Sequence, residues 1–374
     1  MKSNNRPWDS WVERVLIHTP HYLEFDGNSS TGGRERHIRD LATVVRERWG
    51  RPVVIVQKGL ENFETVCPEG FDVIGLKCDT STRSDPLHGW RSRRLARPTD
   101  GVLYASAEDA WPFFAAEAKG VQHGIWWDGP FARWKRVLNR WRVMHFMKAV
   151  RSVLCVDTNF INWVRCQGQT GVELCNKCSY VPNYADILRM PAPQLRTAPS
   201  RPLRVIYARR FEFKRGPHLL LDALAILKKR NFPFSATMFS VGGHDELAAG
   251  LIERGIRDDV SIQSEGLDGI HAQYQNADVA VVPTIWSEGT SLACAEAICA
   301  GLPVVTTPVG GLANLVVPGF NGYVVAPVPE QVADALASSA DPAQWRRMRD
   351  NCLSMRNAMS LERWQSQVHD WLAA

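Results

Sequence analysis

Short, mainly apolar runs alternate with segments of helical periodicity along most of the chain. Between the runs, apolar residues recur at three- and four-residue steps, as they do on one face of an amphipathic helix. The runs are four or five residues long and lie at 15–19, 53–56, 73–76, 102–105, 153–156 and 203–207. Apolar runs of this length, separated by helices, are typical of buried strands in a parallel sheet. The pattern therefore predicts an α/β protein.

A break in this pattern at residues 190–201 predicts a linker. The segment contains three prolines and little periodicity, and proline cannot donate a backbone hydrogen bond within a helix or a central strand. Strand and helix patterns resume after it. We therefore predict two Rossmann-like domains, over residues 1–195 and 196–355, followed by a C-terminal helix over residues 356–374.

The composition is typical of a large intracellular protein. A chain of 374 residues, 45% of them apolar, can form two domains with separate cores. No stretch approaches the roughly 18–20 apolar residues of a membrane span, and the first residues contain no apolar signal segment. Nine scattered cysteines with one Cys-x-x-Cys, at Cys175 and Cys178, favour free thiols over a metal or redox centre. We expect a cytoplasmic protein.

Basic residues are concentrated in the first half of the chain. Residues 1–200 hold 28 Lys and Arg against 21 Asp and Glu, and residues 131–151 hold seven basic residues and no acid. A basic amphipathic helix with tryptophans suits an anionic membrane surface. The alternative is that its apolar stripe packs on the sheet while the charges are solvated. The residues predicted to contact a membrane are Trp134, Lys135, Arg136, Arg140, Trp141 and Arg142.

The segment with the most candidate binding residues lies between residues 287 and 298. Glu288 and Glu296 are eight positions apart, between predicted strands at 277–284 and 303–306. A loop that leads into a helix N-terminus suits a phosphate, and carboxylates accept hydrogen bonds from sugar hydroxyls. An ordinary surface helix with two solvated acids fits poorly, because small and apolar residues surround Glu296. The segment predicts a nucleotide-sugar site.

Four cations surround the end of another predicted strand, within residues 207–216. Open α/β sheets bind ligands at the ends of their strands. Arginine and lysine neutralise a diphosphate and stabilise its charge as it leaves. A solvated basic turn is the alternative interpretation.

Two further segments suit ligand binding. Gly32 and Gly33 precede a predicted helix and would let the backbone approach a ligand closely, with a plain turn as the alternative. His123 follows another predicted strand, and it could orient a sugar or transfer protons near neutral pH. The aromatic faces and the acid beside it suit carbohydrate, and they belong to Trp126, Trp127 and Asp128.

Together these segments resemble retaining glycosyltransferase family 4, which has the GT-B fold. The family's glutamate-x7-glutamate motif falls on Glu288 and Glu296. The resemblance implies that Glu288 contacts the transferred sugar and that Glu296 contacts the ribose of the donor. The family's arginine and lysine-glycine element falls on Arg210 and on Arg215, which occupies the lysine position. We favour the adjacent Lys214 as the second catalytic cation.

The resemblance also implies further contacts with the donor and the acceptor. It places His123 near the reacting sugar, and it returns the last helix to the first domain. Asn314 replaces the glutamate that usually follows the glycine pair at residues 310 and 311. The residues expected to bind the donor, besides Glu296 and Arg215, are Gly289, Thr290, Ser291, Leu292, Gly32 and Gly33.

The resemblance implies a retaining, metal-independent hexosyltransferase that uses a nucleotide-diphosphate sugar and no cofactor. The expected acceptor is a glycan, namely a lipid-linked oligosaccharide of bacterial lipopolysaccharide, capsule or exopolysaccharide synthesis. We expect a peripheral protein on the inner face of the membrane, with no nucleic-acid partner. The alternatives are a sugar phosphorylase or epimerase on the same fold, or a silent carbohydrate- or membrane-binding protein. The retained Glu288, Glu296 and Arg210 argue against the silent protein.

Overall fold

The chain divides into two compact units. The computed structural model describes residues 6–25, 32–81, 85–106, 110–125, 133–239, 243–264 and 267–374. The first unit takes in the described residues up to Val181, except Gly124 and Ile125, together with Trp364–Ala374. The second unit contains those two residues and Pro182–Arg363.

The predicted boundary between residues 195 and 196 lies inside the second unit. Residues 182–196 contain no long helix or strand, but parts of the segment pack on the second unit, while Leu188 and Leu195 are exposed. Ala185 and Met190 are buried in one of its cores, and Arg196 forms an ion pair with the buried Asp278. The prolines interrupt the periodicity of this segment without freeing it from the core.

The first unit contains a mainly parallel sheet. Over the described residues its strand order is β3-β4-β2-β1-β5-β6-β7-β8, and only β3 and β4 pair antiparallel. The strands are β1 (Arg14–His18), β2 (Val53–Gly59), β3 (Phe63–Val66), β4 (Asp72–Lys77), β5 (Asp100–Tyr104), β6 (Lys119–Gln122), β7 (Ser152–Cys155) and β8 (Cys178–Tyr180).

Helices separate most of these strands, as parallel pairing requires. Strands β2 and β5 are buried along their whole length, which is typical of strands in a parallel sheet covered on both faces. The helices of the first unit are α1 (Gly33–Thr43), α2 (Pro86–Leu95), α3 (Arg133–Ala149), α4 (Thr158–Arg165) and α5 (Gly168–Cys175).

The second unit contains a fully parallel sheet. Its strand order, over the described residues, is β11-β10-β9-β12-β13-β14. The strands are β9 (Leu203–Ala208), β10 (Phe234–Phe239), β11 (Val260–Gln263), β12 (Val279–Val282), β13 (Val304–Thr306) and β14 (Gly322–Val324). The helices are α6 (Pro217–Lys229), α7 (His244–Glu253), α8 (Leu267–Tyr274), α9 (Leu292–Cys299), α10 (Pro329–Ser338) and α11 (Pro342–Met355). The two sheets confirm the predicted α/β class.

The last helix, α12 (Leu361–Ala373), has most of its length in the first unit. The Nζ of the buried Lys119 donates to the carbonyl oxygens of Trp371 and Leu372, the latter at 2.9 Å. Burial, with a smaller effect from Arg151, lowers the pKa of Lys119 to about 7. Lys119 therefore fixes the C-terminal end of α12 to strand β6. None of the described helices is both long enough and apolar enough to span a bilayer.

Candidate functional site

The loops that follow β9 and β12 form the centre of the candidate site. These strands are parallel neighbours. Because their carboxyl ends lie at the same edge of the sheet, the segments 209–216 and 283–291 meet there. This is the edge at which open α/β sheets bind ligands.

Glu288 is held between two arginines in this site. Arg209 Nη2 and Arg215 Nη1 both donate to Oε2 of Glu288. The hydroxyl of Thr284 donates to the same oxygen at 3.2 Å. Burial alone raises the pKa of Glu288, but the two guanidinium groups together lower it to about 2. Glu288 is therefore an anion at neutral pH.

The low pKa of Glu288 predicts a stability effect in acid. A carboxylate with a lowered folded-state pKa stabilises the fold fully above its unfolded pKa, near 4.5, and progressively less as the pH falls towards 2. The contribution at neutral pH is about 3 kcal/mol by linkage. We expect Glu288→Gln to be less stable than the wild type at pH 7, and the difference to shrink between pH 4.5 and 2. Urea unfolding at several pH values measures this difference.

The exposed Glu253 provides the control for the acid experiment, because its side chain is 76% exposed and paired only with Arg254 among the described residues. Glu253→Gln should change the free energy of unfolding little at any pH. A difference between Glu288→Gln and wild type that stays constant from pH 6 to 3 would contradict the buried ion pairs.

Glycines let the surrounding backbone pack directly on the loop of Glu288. Gly310 and Gly216 have φ values of 59° and 73°, which side chains other than glycine rarely adopt. A Cβ atom on Gly310 would overlap the carbonyl oxygen of Glu288, and one on Gly216 would overlap that of Pro283. The amide of Gly311 donates to the carbonyl oxygen of Glu288 at 3.2 Å. The glycine pair thus fixes the position of Glu288.

Helix α9 places the second glutamate behind the first. Ser291 caps this helix by accepting from the amide of Cys294 at 3.4 Å. Glu296 follows in the second turn and is 4% exposed. The hydroxyl of Tyr274 donates to Glu296 Oε2 at 3.4 Å, and His271 Nε2 lies 3.4 Å from Oε1. Glu296 is therefore a buried acid with defined partners.

The other predicted donor-binding residues line the start of the same helix. Gly289 and Leu292 are partly exposed, and Thr290 is buried. The Thr290 hydroxyl accepts from the backbone amide of Asn183 at 2.8 Å. The structure therefore brings residues 288–292 together with Glu296 and Arg215.

Arg210 and Lys214 lie on the exposed side of the same turn. Their side chains are 47% and 44% exposed and pair with Glu212, at 3.4 and 3.0 Å. The basic residues that contact Glu288 are instead Arg215, which we predicted as donor-binding, and Arg209, which we did not single out. The sequence does not distinguish Arg209 from Arg210, although it indicates that only one of them can face Glu288. Successive side chains at a strand end point to opposite faces, so Arg209 and Arg210 could not both face Glu288.

Gly32, at the start of α1, lies against an acid of the same helix, while Gly33 is exposed. Gly32 is the N-cap residue in extended conformation, and a Cβ atom on it would overlap the carboxylate of Glu35. His21 Nδ1 lies 3.0 Å from Glu35 Oε1. Burial raises the pKa of Glu35, but its bond to His21 and further polar contacts lower it overall. Glu35 thus occupies the helix start where Gly32 and Gly33 were predicted to receive a ligand.

His123 lies beside a second histidine in the first unit. The ring of His37 packs edge-on against His123 with centroids 4.6 Å apart, and against Trp364 at 5.1 Å. His37 is 2% exposed, and no motif in the sequence marked it. The predicted sugar-binding residues Trp126, Trp127 and Asp128 lie outside the described residues.

The basic helix α3 leaves its aromatic stripe exposed. Trp134 and Trp141 are 63% and 55% exposed. Its buried residues are Val143, Phe146 and Met147, near the C-terminal end. Trp141 also packs edge-on against Trp111, with ring centroids 5.5 Å apart. Of the predicted contact residues, Lys135, Arg136 and Arg140 are also exposed, while Arg142 lies over the ring of Trp111.

The fold of the chain is that of GT-B glycosyltransferases. Sucrose-phosphate synthase from Thermosynechococcus elongatus superimposes with a TM-score of 0.73 and 17% identity, over 95% of this chain and 97% of that chain. The Anabaena protein HepE in complex with UDP-glucose superimposes with a TM-score of 0.70 and 16% identity, over 96% of this chain and 98% of that chain. These similarities confirm the predicted GT-B fold.

Residues 193–351 match the family Glycosyl transferases group 1. A putative colanic acid biosynthesis glycosyltransferase, WcaL of Salmonella typhimurium, is 34% identical over 149 residues. This match covers 38% of the present chain and 36% of WcaL, so the chain spans only about a third of that relative's length. The predicted resemblance to group 1 glycosyltransferases is confirmed over this segment.

Proposed function

We propose that the protein is a retaining glycosyltransferase that moves a sugar from a nucleotide-diphosphate donor to a glycan acceptor. The observation that carries this proposal is the ionised Glu288, held by Arg209 and Arg215 beside the start of α9, with the buried Glu296 in the same helix. HepE, which shares the fold, binds UDP-glucose, and WcaL is named for the synthesis of a polysaccharide. Both facts support a sugar donor and a glycan product.

The donor would bind the second unit through its charges and hydroxyl groups. Arg215 is 20% exposed and can neutralise a diphosphate as a bidentate donor. Arg210 and Lys214 would meet the same group from the solvent side, in agreement with their exposure. Glu296 would accept from the ribose hydroxyls and Glu288 from those of the sugar. The amides at the start of α9 would favour the negative charge.

The reaction would proceed without a protein nucleophile. A carboxylate whose Oε2 accepts from two arginines and a threonine is a weak nucleophile, so Glu288 would orient the sugar instead. The cations would stabilise the nucleoside diphosphate as the sugar leaves, in the place that a metal ion takes in other transferases. His123 would assist near the acceptor, either as an orienting group or through its proton. The reaction would then need neither a metal nor a cofactor.

Release of nucleoside diphosphate from a panel of nucleotide sugars tests the proposal. We expect one donor to be consumed faster when membrane glycolipids are added, with the anomeric configuration of the sugar retained in the product. A phosphorylase would instead need inorganic phosphate and release a sugar phosphate. An epimerase would convert the nucleotide sugar without any acceptor. No turnover and no nucleotide binding by folded protein would favour the silent binding protein.

Glu296→Ala is expected to weaken nucleotide binding. The change removes a buried carboxylate that we place on the ribose hydroxyls, and a charged hydrogen-bond partner contributes about 1–3 kcal/mol. Calorimetry should therefore show the dissociation constant of the preferred nucleoside diphosphate rise roughly 5- to 150-fold. The control Glu253→Ala removes an exposed acid and should leave binding unchanged. An unchanged affinity in folded Glu296→Ala would contradict the proposal that Glu296 binds the ribose hydroxyls.

Helix α3 would hold the protein at a membrane that carries the acceptor. Its exposed tryptophans lie among exposed cations, a combination that suits anionic lipid headgroups. We expect sedimentation with vesicles that contain phosphatidylglycerol and little with pure phosphatidylcholine. Binding should fall with added salt and on combining Trp134→Ser with Trp141→Ser, which leaves the buried face of the helix intact. Equal binding by this double variant would contradict a role for the stripe.

A further inference from the structure

Arg209 is the more deeply buried of the two arginines that contact Glu288. Its side chain is 6% exposed, against 20% for Arg215. Arg209 Nη1 donates to the hydroxyl of Thr284 at 2.5 Å, while Nη2 donates to Glu288. Arg209 directly follows β9, and Thr284 lies just beyond β12. Arg209 is therefore fixed at two points, across the ends of neighbouring strands.

Arg215 is held less firmly. It ends a short 3-10 turn, Phe213–Arg215, and its Nε lies 3.8 Å from Glu212 Oε2 in addition to the contact with Glu288. Arg215 can therefore exchange Glu288 for another anion while it keeps one acidic neighbour. Arg209 could do so only by giving up Thr284 as well. The two arginines contact the same carboxylate oxygen, but only Arg215 can leave it without losing a second hydrogen bond to Thr284.

We propose that Arg209 is a positioning residue that keeps Glu288 ionised and correctly oriented while Arg215 turns to the diphosphate of the donor. This inference rests on the proposed function, since it concerns the same donor site. A diphosphate that recruits Arg215 removes one of the two cations from Glu288 and brings further negative charge close to it. Without Arg209, the almost fully buried carboxylate would then face an anionic ligand with no cation of its own. A buried charge in that situation is strongly disfavoured.

The inference separates the effects of the two arginines on binding and on chemistry. Removal of Arg215 should weaken the binding of any diphosphate, because it removes a direct contact. Removal of Arg209 takes away no direct contact with the diphosphate, so it should weaken diphosphate binding less than removal of Arg215 does, through the cost of leaving Glu288 without a cation. It should slow cleavage of the donor, because Glu288 no longer holds the sugar. It should also move the acidic limb of the rate profile to higher pH, since Glu288 would accept a proton more readily. A residue that only stabilised the fold would not move that limb.

The test compares Arg209→Met with Arg215→Met, both of which remove a cation from Glu288. Arg209→Lys restores the charge, and Thr284→Val removes the second anchor of Arg209 without changing any charge. Arg230→Met serves as the control, because Arg230 pairs with Asp334 on the surface. Calorimetry measures the binding of pyrophosphate, UDP and UDP-glucose. If the wild type prefers another nucleoside diphosphate, that nucleotide and its sugar derivative replace UDP and UDP-glucose. Donor cleavage is then followed between pH 4 and 8.

We expect Arg209→Met to lose less than about tenfold in diphosphate affinity and to cleave the donor roughly 10- to 100-fold more slowly. Arg209→Lys should recover part of the rate, Thr284→Val should lose less than Arg209→Met, and Arg215→Met should bind at least about tenfold more weakly. If Arg209→Met loses diphosphate binding as Arg215→Met does, or keeps the wild-type rate and pH profile, the inference is wrong while the proposed function stands. If Arg209→Met does not fold, Arg209→Lys and Thr284→Val decide by the same criteria. If the folded wild type binds none of these ligands, both the proposed function and the inference fail.

Discussion

Glu288→Gln is expected to cleave the donor roughly 100- to 1,000-fold more slowly than the wild type, the usual effect of losing one well-placed charge at the reacting group. Glutamine has the shape of glutamate, but it lacks the negative charge that Arg209 and Arg215 hold in place. Glutamine can still accept one hydrogen bond from the sugar. Because its shape matches that of glutamate, the loop should keep its fold. Single-turnover cleavage of the preferred nucleotide sugar measures this rate.

The same variant should bind nucleoside diphosphate at least as well as the wild type. Neutralising Glu288 removes the carboxylate that competes with the diphosphate for Arg215, so affinity and rate should change in opposite directions. Glu253→Gln, which neutralises an exposed acid of the same unit, is the control. Parallel losses of affinity and rate would mean that Glu288 only maintains the structure of the pocket, and an unchanged rate would exclude it from the reaction.

Gly310→Ala is expected to destabilise the second unit by about 3–5 kcal/mol, near the upper end for single substitutions. The left-handed conformation alone costs a non-glycine residue about 1–2 kcal/mol. The new Cβ atom would also overlap the carbonyl oxygen of Glu288, which the amide of Gly311 holds in place. The loop that carries Glu288 would have to move, so donor binding should fall together with stability. Urea unfolding and calorimetry of the same samples measure both.

Gly319→Ala is the matched control for this experiment. Gly319 has a φ of 75°, and a Cβ atom on it would meet nothing within 4 Å. Gly319→Ala therefore carries the conformational cost alone, about 1–2 kcal/mol, and should bind the donor normally. Equal destabilisation by the two variants would mean that the contact between Gly310 and Glu288 contributes nothing beyond backbone conformation.

The sequence predicted the long strands because a buried parallel strand is apolar on both faces. Strands β1, β2, β5 and β9 fall on apolar runs. The edge strands β3 and β8 were not predicted. β3 is mostly exposed and includes Glu64, and β8 has three residues, none of them buried. Short edge strands pair through their backbone, which leaves little trace in side-chain pattern.

The candidate site was predictable where it depends on local spacing. Glu288 lies just before the short helix α9 and Glu296 lies within it, so their separation in sequence sets their separation in space. The choice between Arg209 and Arg210 depends on which face of a strand end each side chain occupies, and motif spacing does not encode that choice. The carboxylate of Glu35 over the start of α1 depends on a side-chain conformation, which a glycine pair does not reveal.

Calorimetric titration of the wild-type protein with nucleoside diphosphates tests the central claim most directly, namely that the second unit holds a nucleotide-sugar donor. The panel should contain UDP, GDP, ADP and dTDP, together with the matching nucleosides. We predict that one nucleoside diphosphate binds with a stoichiometry of one, and that its nucleoside binds far more weakly because it lacks the charge for Arg215. Folded protein that binds none of the panel, or that binds nucleoside and diphosphate equally, would contradict a donor site built on these cations.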